Sequence, residues 1–522
     1  MKHVIYKISE RYVLLPIIRS NTINHRVTVS ESPNYARSES SIAINPRNPY
    51  NIVAASKRFT DPSKYQFSLA VYTTFDGGHT WKETNNLELP PECQVDGGGT
   101  SDPALAWDVS QYTDKNKKDI VNLVALPFKP VKITDPDNPD DPEKTRTIAV
   151  PIGIAAYQST DGGNTWGPPT MIHQSIDPPP NGDRVDDKQW AVGDNNPSSP
   201  YFGRVYAAWD DGLGVGNSYL AFARTLDHGK NWIGTKDKNN GDQKAGANIP
   251  GIKDSGAPEL SVASDGTIYI VWLGNNNSDV KFVKSTDGGD SFTEPMVVAK
   301  GIVPLSSPYL ENIHGRSHLA GGSFRVVTVC TGCTGAANNV MFAWADYREG
   351  ISRIYYRLST DGGTTWEGPP SGQPLLVSQE LISEKDQHEF HPQLISTPSG
   401  EIGCAFYEFG PKGRSGFPAV LENYLIDVVL AISVDDGKTF SDRITVTNYP
   451  WDPVVNAPFS SGDKDVTFIG EYFGLDASPL GFFPLWTDTR TGIQEIFMAR
   501  VNEIHTRLSG VNPATIPELG ED

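Results

Sequence analysis

Short stretches of apolar or alternating residues recur along the whole chain, as in Ser41-Ile-Ala-Ile44 followed by Asn51-Ile-Val-Ala-Ala55, or Glu259-Leu-Ser-Val262 followed by Thr267-Ile-Tyr-Ile-Val-Trp272. Their length and β-branched character predict strands, and the Asn-Pro and Asp-Gly sequences between them predict tight turns. Long amphipathic helical spacing is missing. Six segments share the pattern Ser/Thr-x-Asp-x-Gly-x-Thr/Ser-Trp/Phe: Thr74 to Trp81 around Asp76, Ser159 to Trp166 around Asp161, Thr225 to Trp232 around Asp227, Ser285 to Phe292 around Asp287, Ser359 to Trp366 around Asp361, and Ser433 to Phe440 around Asp435. Only the third departs, with Asn231 in the Thr/Ser place. The Asp carboxylate is suited to accept N–H groups of its own turn, glycine takes backbone angles other residues resist, and the terminal aromatic packs beneath. These six aspartates are therefore read as structural.

Strand-like stretches such as Gly153-Ile-Ala-Ala-Tyr157 and Ile354-Tyr-Tyr-Arg-Leu358 precede the turns, so each turn joins a third strand to a fourth. With the upstream strand pair, the unit becomes strand A, turn, strand B, loop, strand C, repeat turn, strand D. That is one four-stranded blade of an all-β propeller. After the sixth turn come Tyr472 to Leu475, Phe482 to Trp486 and Glu495 to Ala499, a set lacking its D strand, while Thr22 to Val29 is strand-like and has no blade. Joining the two closes a ring of seven blades; a six-bladed ring with one unit as an insertion is the alternative. The domain reading is an N-terminal extension over 1–21, one propeller over 22–503, and a tail over 504–522.

The six repeat turns and their strand partners resemble the Asp boxes of the sialidase superfamily, also called BNR-repeat proteins, and the likeness covers nearly the whole chain. The resemblance implies a carbohydrate-active propeller, with a sialidase-like exo-glycosidase as the leading expectation and a non-catalytic glycan- or protein-binding propeller as the competing one. It also implies an extracellular or cell-surface role. Sialidases of this type hold a sugar carboxylate with three arginines, use a tyrosine paired with a glutamate as nucleophile, and carry a Phe-Arg-Ile-Pro motif on an early inner strand. The nearest match here is Phe324-Arg325-Val326-Val327, in the fifth unit and without the proline.

Charge narrows the partners. The chain carries 63 acidic and 44 basic residues, a formal charge of -19, which disfavours nucleic acid and anionic membrane surfaces. The apolar run Tyr12 to Ile18 is short and proline-broken, unlike a signal-peptide core, and no segment reaches membrane-span length. Four cysteines are no disulfide framework, and Cys330-Thr-Gly-Cys333 lacks a second pair for zinc. No cofactor is predicted; the acidic run Asp135 to Glu143 offers oxygen ligands for calcium but reads first as a solvated loop.

In a propeller the D-to-A links and B–C loops share one face, and the A–B and C–D turns share the other. Loop insertions at Pro127 to Thr147, Gly301 to Gly322 and Gly410 to Asn423 fall on the first, which is therefore the expected ligand face. Polar residues at inner-strand starts on that face include Arg37, Glu39, Asp102, Asp187, Lys188, Glu259, Arg325, His388, His391, Glu471 and Tyr472. The catalytic candidates are Tyr472, Glu471, Asp102 and Glu259, because a phenol or a pair of carboxyl groups suits glycoside cleavage. The substrate-binding candidates are Arg37, Arg325 and His391, together with Arg348 and Arg490 from the matching B–C turns Trp344 to Gly350 and Trp486 to Gly492.

Overall fold

Every repeat turn closes on itself in the same way. The Asp carboxylate accepts the N–H of the residue four positions on at 2.8–3.0 Å and that residue's side chain through its other oxygen, as in Thr80 on Asp76 and Thr439 on Asp435. Asn231 fills the divergent position by donating its amide to Asp227 at 2.6 Å, in place of a hydroxyl. The first residue's hydroxyl takes the N–H of the glycine four positions on, for example Gly163 on Ser159 at 2.9 Å. That glycine has φ of 79–93° across Gly78, Gly163, Gly229, Gly289, Gly363 and Gly437.

A computed structural model describes residues 3–8, 11–16, 22–28, 35–61, 66–84, 87–110, 118–134, 141, 143–176, 184–212, 218–237, 241–303, 309–313, 316–320, 327–331, 338–375, 387–411, 424–440, 442–455, 459–460, 463–471 and 473–502. The strands form seven blades around one channel, with inner strands Arg37–Ile44, Gly99–Asp108, Asp186–Gly193, Glu259–Val262, Val327–Thr331, His388–Ser396 and Gly474–Ser478. The second and third blades carry additional short strands, Thr145–Pro151 in one and Gly241–Lys244 with Ala247–Asn248 in the other. In the seventh blade the outer strand is Asn24–Arg26, paired with Glu495–Ala499. Arg26 grips Glu495 through two hydrogen bonds of 3.0 and 2.8 Å, and Thr28 adds a third at 2.8 Å.

Packing between blades explains this glycine. A Cβ on any of the six would stand under 3.0 Å from an atom of the preceding blade, such as Val53 for Gly163 or Met341 for Gly437. The residue just before a repeat turn also reaches the next blade's turn: Thr73 donates to the Gly162 carbonyl at 2.6 Å, Arg224 to Gly288 at 2.9 Å and Lys284 to Gly362 at 2.6 Å. A–B turns meet the same targets, since Asn51 donates to Gly162 and Tyr201 to Thr286. Both kinds of turn therefore lie on one face. Trp209, Trp272, Trp344 and Trp486 occupy equivalent positions on four B strands and are fully buried. At ~25 cal/mol per Å2 over ~150–250 Å2, each contributes roughly 4–6 kcal/mol of hydrophobic stabilisation.

One element was not expected. Tyr309–Ile313 and Arg316–Ala320, from the link into the fifth blade, join Asp463–Phe468 and Phe459–Ser460, from the link into the seventh, in a separate four-stranded sheet. The two links meet in parallel, His318 opposite Val466. At the end of this sheet Phe468 packs with Ala36, Phe59, Phe67 and Phe128 of the first two blades. The sheet thus bridges the link face. Among the described residues no helix is long and apolar enough to cross a membrane.

Candidate active site at the head of the channel

Five inner strands start with a non-glycine residue in the left-handed region: Glu39 (φ 57°), Asp102 (55°), Lys188 (56°), Ala257 (49°) and His391 (51°). At four of these, all but Ala257, the register with the second strand slips by one residue, so each is the head of a β-bulge. A left-handed conformation costs such a residue about 1–3 kcal/mol, and strain of this kind concentrates at functional sites. The repetition around one axis turns the bulged residues toward a common end of the channel.

Four of the blades then supply one polar cluster. Glu39 pairs with Lys57 at 2.7 Å, and Lys188 of the third blade pairs with Glu471 at the entry to the seventh. Between them stands Asp102, which accepts the Ser101 hydroxyl at 2.6 Å and shares a hydrogen bond with Asp187. Gly470 lies against Glu39, so the link carrying Glu471 is held to the first blade. The Lys57 ammonium lies 4.4 Å from the Phe67 ring centre and 4.9 Å from that of Phe468, an apolar lid over the cation.

The electrostatics follow from this crowding. Burial pushes the Glu39 carboxyl up to about 7, Lys57 pulls it down, and the Asp102 charge adds to the rise. Desolvation also raises Asp187, against the pull of Lys188, and the nearby Asp102 raises it further. Two carboxyl groups that share a hydrogen bond need one proton between them, because a carboxylate has no hydrogen to donate. Asp102 and Asp187 therefore hold one shared proton when that bond is made, in a cluster where burial and neighbouring carboxylates push Glu39 and Asp187 the same way.

The candidates from the sequence divide by placement. Asp102 and Glu471 fall within the cluster. Glu259 lies farther round the ring and ties three inner strands together, accepting Thr328 Oγ1 at 2.6 Å, the Val329 N–H at 3.0 Å and Gln393 Nε2 at 3.0 Å. His391 is buried against the Phe390 and Tyr407 rings. Arg37 points into its own blade, toward the Tyr72 hydroxyl and Glu83, the latter at 3.0 Å. Arg348 and Arg490 each fold back on the aspartate of their own turn, Asp346 and Asp488, through paired hydrogen bonds. Tyr472 and Arg325 lie outside the described residues, as do Cys333 and most of the Asp135 to Glu143 run.

No family model matches the chain, and no curated protein matches it. Similar solved structures include a Dyadobacter fermentans protein of unknown function, at 14% identity and TM-score 0.42, covering 78% of this chain and 98% of that one. A Hadza microbial sialidase is similar at 14% identity and TM-score 0.44, over 77% of this chain and 68% of its own. The intramolecular trans-sialidase from Ruminococcus gnavus is similar at 14% identity and TM-score 0.41, over 80% and 98%.

Lys57 and the bulges escaped the sequence reading. Lys57 follows the apolar run of a B strand, where a charge has no periodic signature. Two of the bulges did leave a trace: Asp102-Pro103 and His391-Pro392 each put a proline, which has no N–H to give a ladder, at the head of an inner strand. Among the described residues no group of three or more His, Cys, Asp or Glu side chains is arranged to hold a metal.

Proposed function

We propose that the chain is a carbohydrate-active propeller of the sialidase type that cleaves a glycosidic bond at the head of its channel. The observation that carries this is the convergence of Glu39, Asp102 and Lys188, each in a strained bulge of a different blade, with Asp187 and Glu471. Glycoside cleavage needs a carboxylic acid to protonate the departing oxygen and a carboxylate to meet the developing charge on the sugar ring. The Asp102–Asp187 pair is suited to the first task and Glu471, held by Lys188, to the second. Asp102 is the residue whose loss separates the two states of the pair.

The test is a panel of aryl glycosides, a sialoside among them, assayed with the protein and with Asp102→Asn and Glu471→Gln. Turnover that falls at least a hundredfold in each, with melting retained, supports the assignment. A second reading is a glycan-binding propeller without turnover, favoured by the engagement of Arg37, Arg348 and Arg490 inside the scaffold. Specific retention on a glycan array with no turnover on the panel decides for that reading.

A further inference from the structure

Each repeat turn has a variable place between its shared glycine and its Thr/Ser position, held in order by His79, Asn164, Lys230, Asp290, Thr364 and Lys438. In the fourth blade this place faces the outer strand of the blade before it. Asp290 accepts the Lys236 ammonium at 2.7 Å, and Lys236 belongs to the third blade's outer strand Trp232–Asp237. That contact joins opposite charges across the junction. The same place at the junction of the seventh and first blades brings two like groups together: His79 meets His25 of the closing strand Asn24–Arg26, with ring centres 5.2 Å apart and ring planes at 88°.

Gly78, next to His79, lies on Met498, the register partner of His25, so the two imidazoles sit where the first blade stacks on the seventh. An edge-to-face contact is favourable between neutral rings and becomes a contact of like charges once both imidazoles carry protons. The other charged groups facing His25 are Asp76 and Arg500. Burial opposes ionisation of Asp76, but hydrogen bonds from the Thr80 side chain and N–H and from Thr74 outweigh it and hold the carboxyl well below the usual range. Asp76 and Arg500 therefore keep their charges while imidazoles titrate. Burial, then His79, pushes His25 below its ordinary 6.5, with Arg500 adding to the fall and Asp76 opposing it. A detached strand takes up a proton that the docked strand resists, so docking is strongest above pH 6.5 and weakens as pH falls below it.

We infer that His25 and His79 make the junction of the seventh and first blades a pH-sensitive seam, which holds the closing strand while both imidazoles are neutral and releases it progressively as they take up protons. Acid thus loosens the ring at the blade that the two ends of the chain build together.

The test is amide hydrogen exchange of the full-length protein at about pH 7.5 and pH 5.5, with rates corrected for intrinsic exchange, comparing the peptide over residues 22–28 with the fourth blade's outer strand Met296–Lys300. Relative to that reference, protection of the closing strand is expected to fall about threefold or more on acidification. His79→Asn, which copies Asn164 of the second turn, should remove most of the fall. His79→Asp, which copies Asp290 of the fourth, should reverse it, because protonated His25 then meets a carboxylate. His79 is exposed and its place already holds Asn, Asp, Lys and Thr in the other turns, so both variants are expected to fold. Equal loss of protection in the two strands of the parent overturns the inference. So does a fall that persists in full in His79→Asn, or one of the same sign and size in His79→Asp.

Discussion

Alanine at Gly163 separates the two demands on the repeat glycines, because another glycine in the chain meets only one of them. Gly163 (φ 92°) would place a Cβ 2.6 Å from Val53 Cγ2 and 3.3 Å from Thr73 Oγ1, whereas Gly350 (φ 77°) has nothing within 4 Å of its Cβ position. The left-handed backbone costs an L side chain about 1–2 kcal/mol, partly offset by about 0.4–1 kcal/mol from a less flexible unfolded chain. Gly350→Ala is therefore expected to lose roughly 1 kcal/mol. Gly163→Ala bears the same loss plus about 1–3 kcal/mol for forcing a methyl group into a packed junction. The total is roughly 2–4 kcal/mol. Both proteins would be unfolded in urea under identical conditions and their midpoints compared with the parent, along with the slope as a check that the unfolding process is unchanged. Equal midpoints for the two variants would refute the idea that the shared repeat glycine exists for blade stacking, leaving turn conformation as its whole purpose.

Three further outcomes are expected. Removing residues 1–28 takes away the strand and the Arg26 and Thr28 contacts that close the ring, so melting should drop sharply; an unchanged melt would contradict the closure. Burial raises Glu389 to about 7 from an ordinary 4.5, so the folded state keeps its proton longer and stability falls as pH rises between those values, by on the order of 3 kcal/mol. Glu389→Gln should remove that fall, with its gain largest above pH 7 and vanishing toward pH 4.5, as read from urea midpoints across pH. Asp361 is held at about 2 by the Thr365 hydroxyl and N–H, and Asp361→Ala should lower the melting temperature while glycan turnover or retention per folded molecule stays the same.

The repeat made most of the fold legible. Six turns marked six blades, and the unpaired strands at the two ends supplied the seventh. The sheet joining the links into the fifth and seventh blades was not legible, because its strands pair across about 150 residues and neither link carries a repeat to announce the partner. For the site, the rule that inner strands begin near the axis gathered Glu39, Asp102, Lys188 and Glu471. Arg37 instead reaches Tyr72 and Glu83 of its own blade, because side chains alternate along a strand: Arg37 and Ser38 take opposite sides, and the bulge after Ser38 resets the count for everything that follows. The Arg348 and Arg490 turns repeat the same Asp-Arg pairing, each guanidinium folded back on the aspartate of its own turn.

The contact between Thr28 and Glu495 joins residues 467 positions apart, and it has a consequence for how the chain is made. At about 5–20 residues per second on the ribosome, the opening strand waits roughly 25–90 s before its partner exists. Throughout that interval the nascent ring is an open arc with an unsatisfied edge, and a neighbouring chain at the same stage offers an identical strand. Slow synthesis at high expression should therefore yield dimers that have exchanged their first strands, each protomer completed by the other.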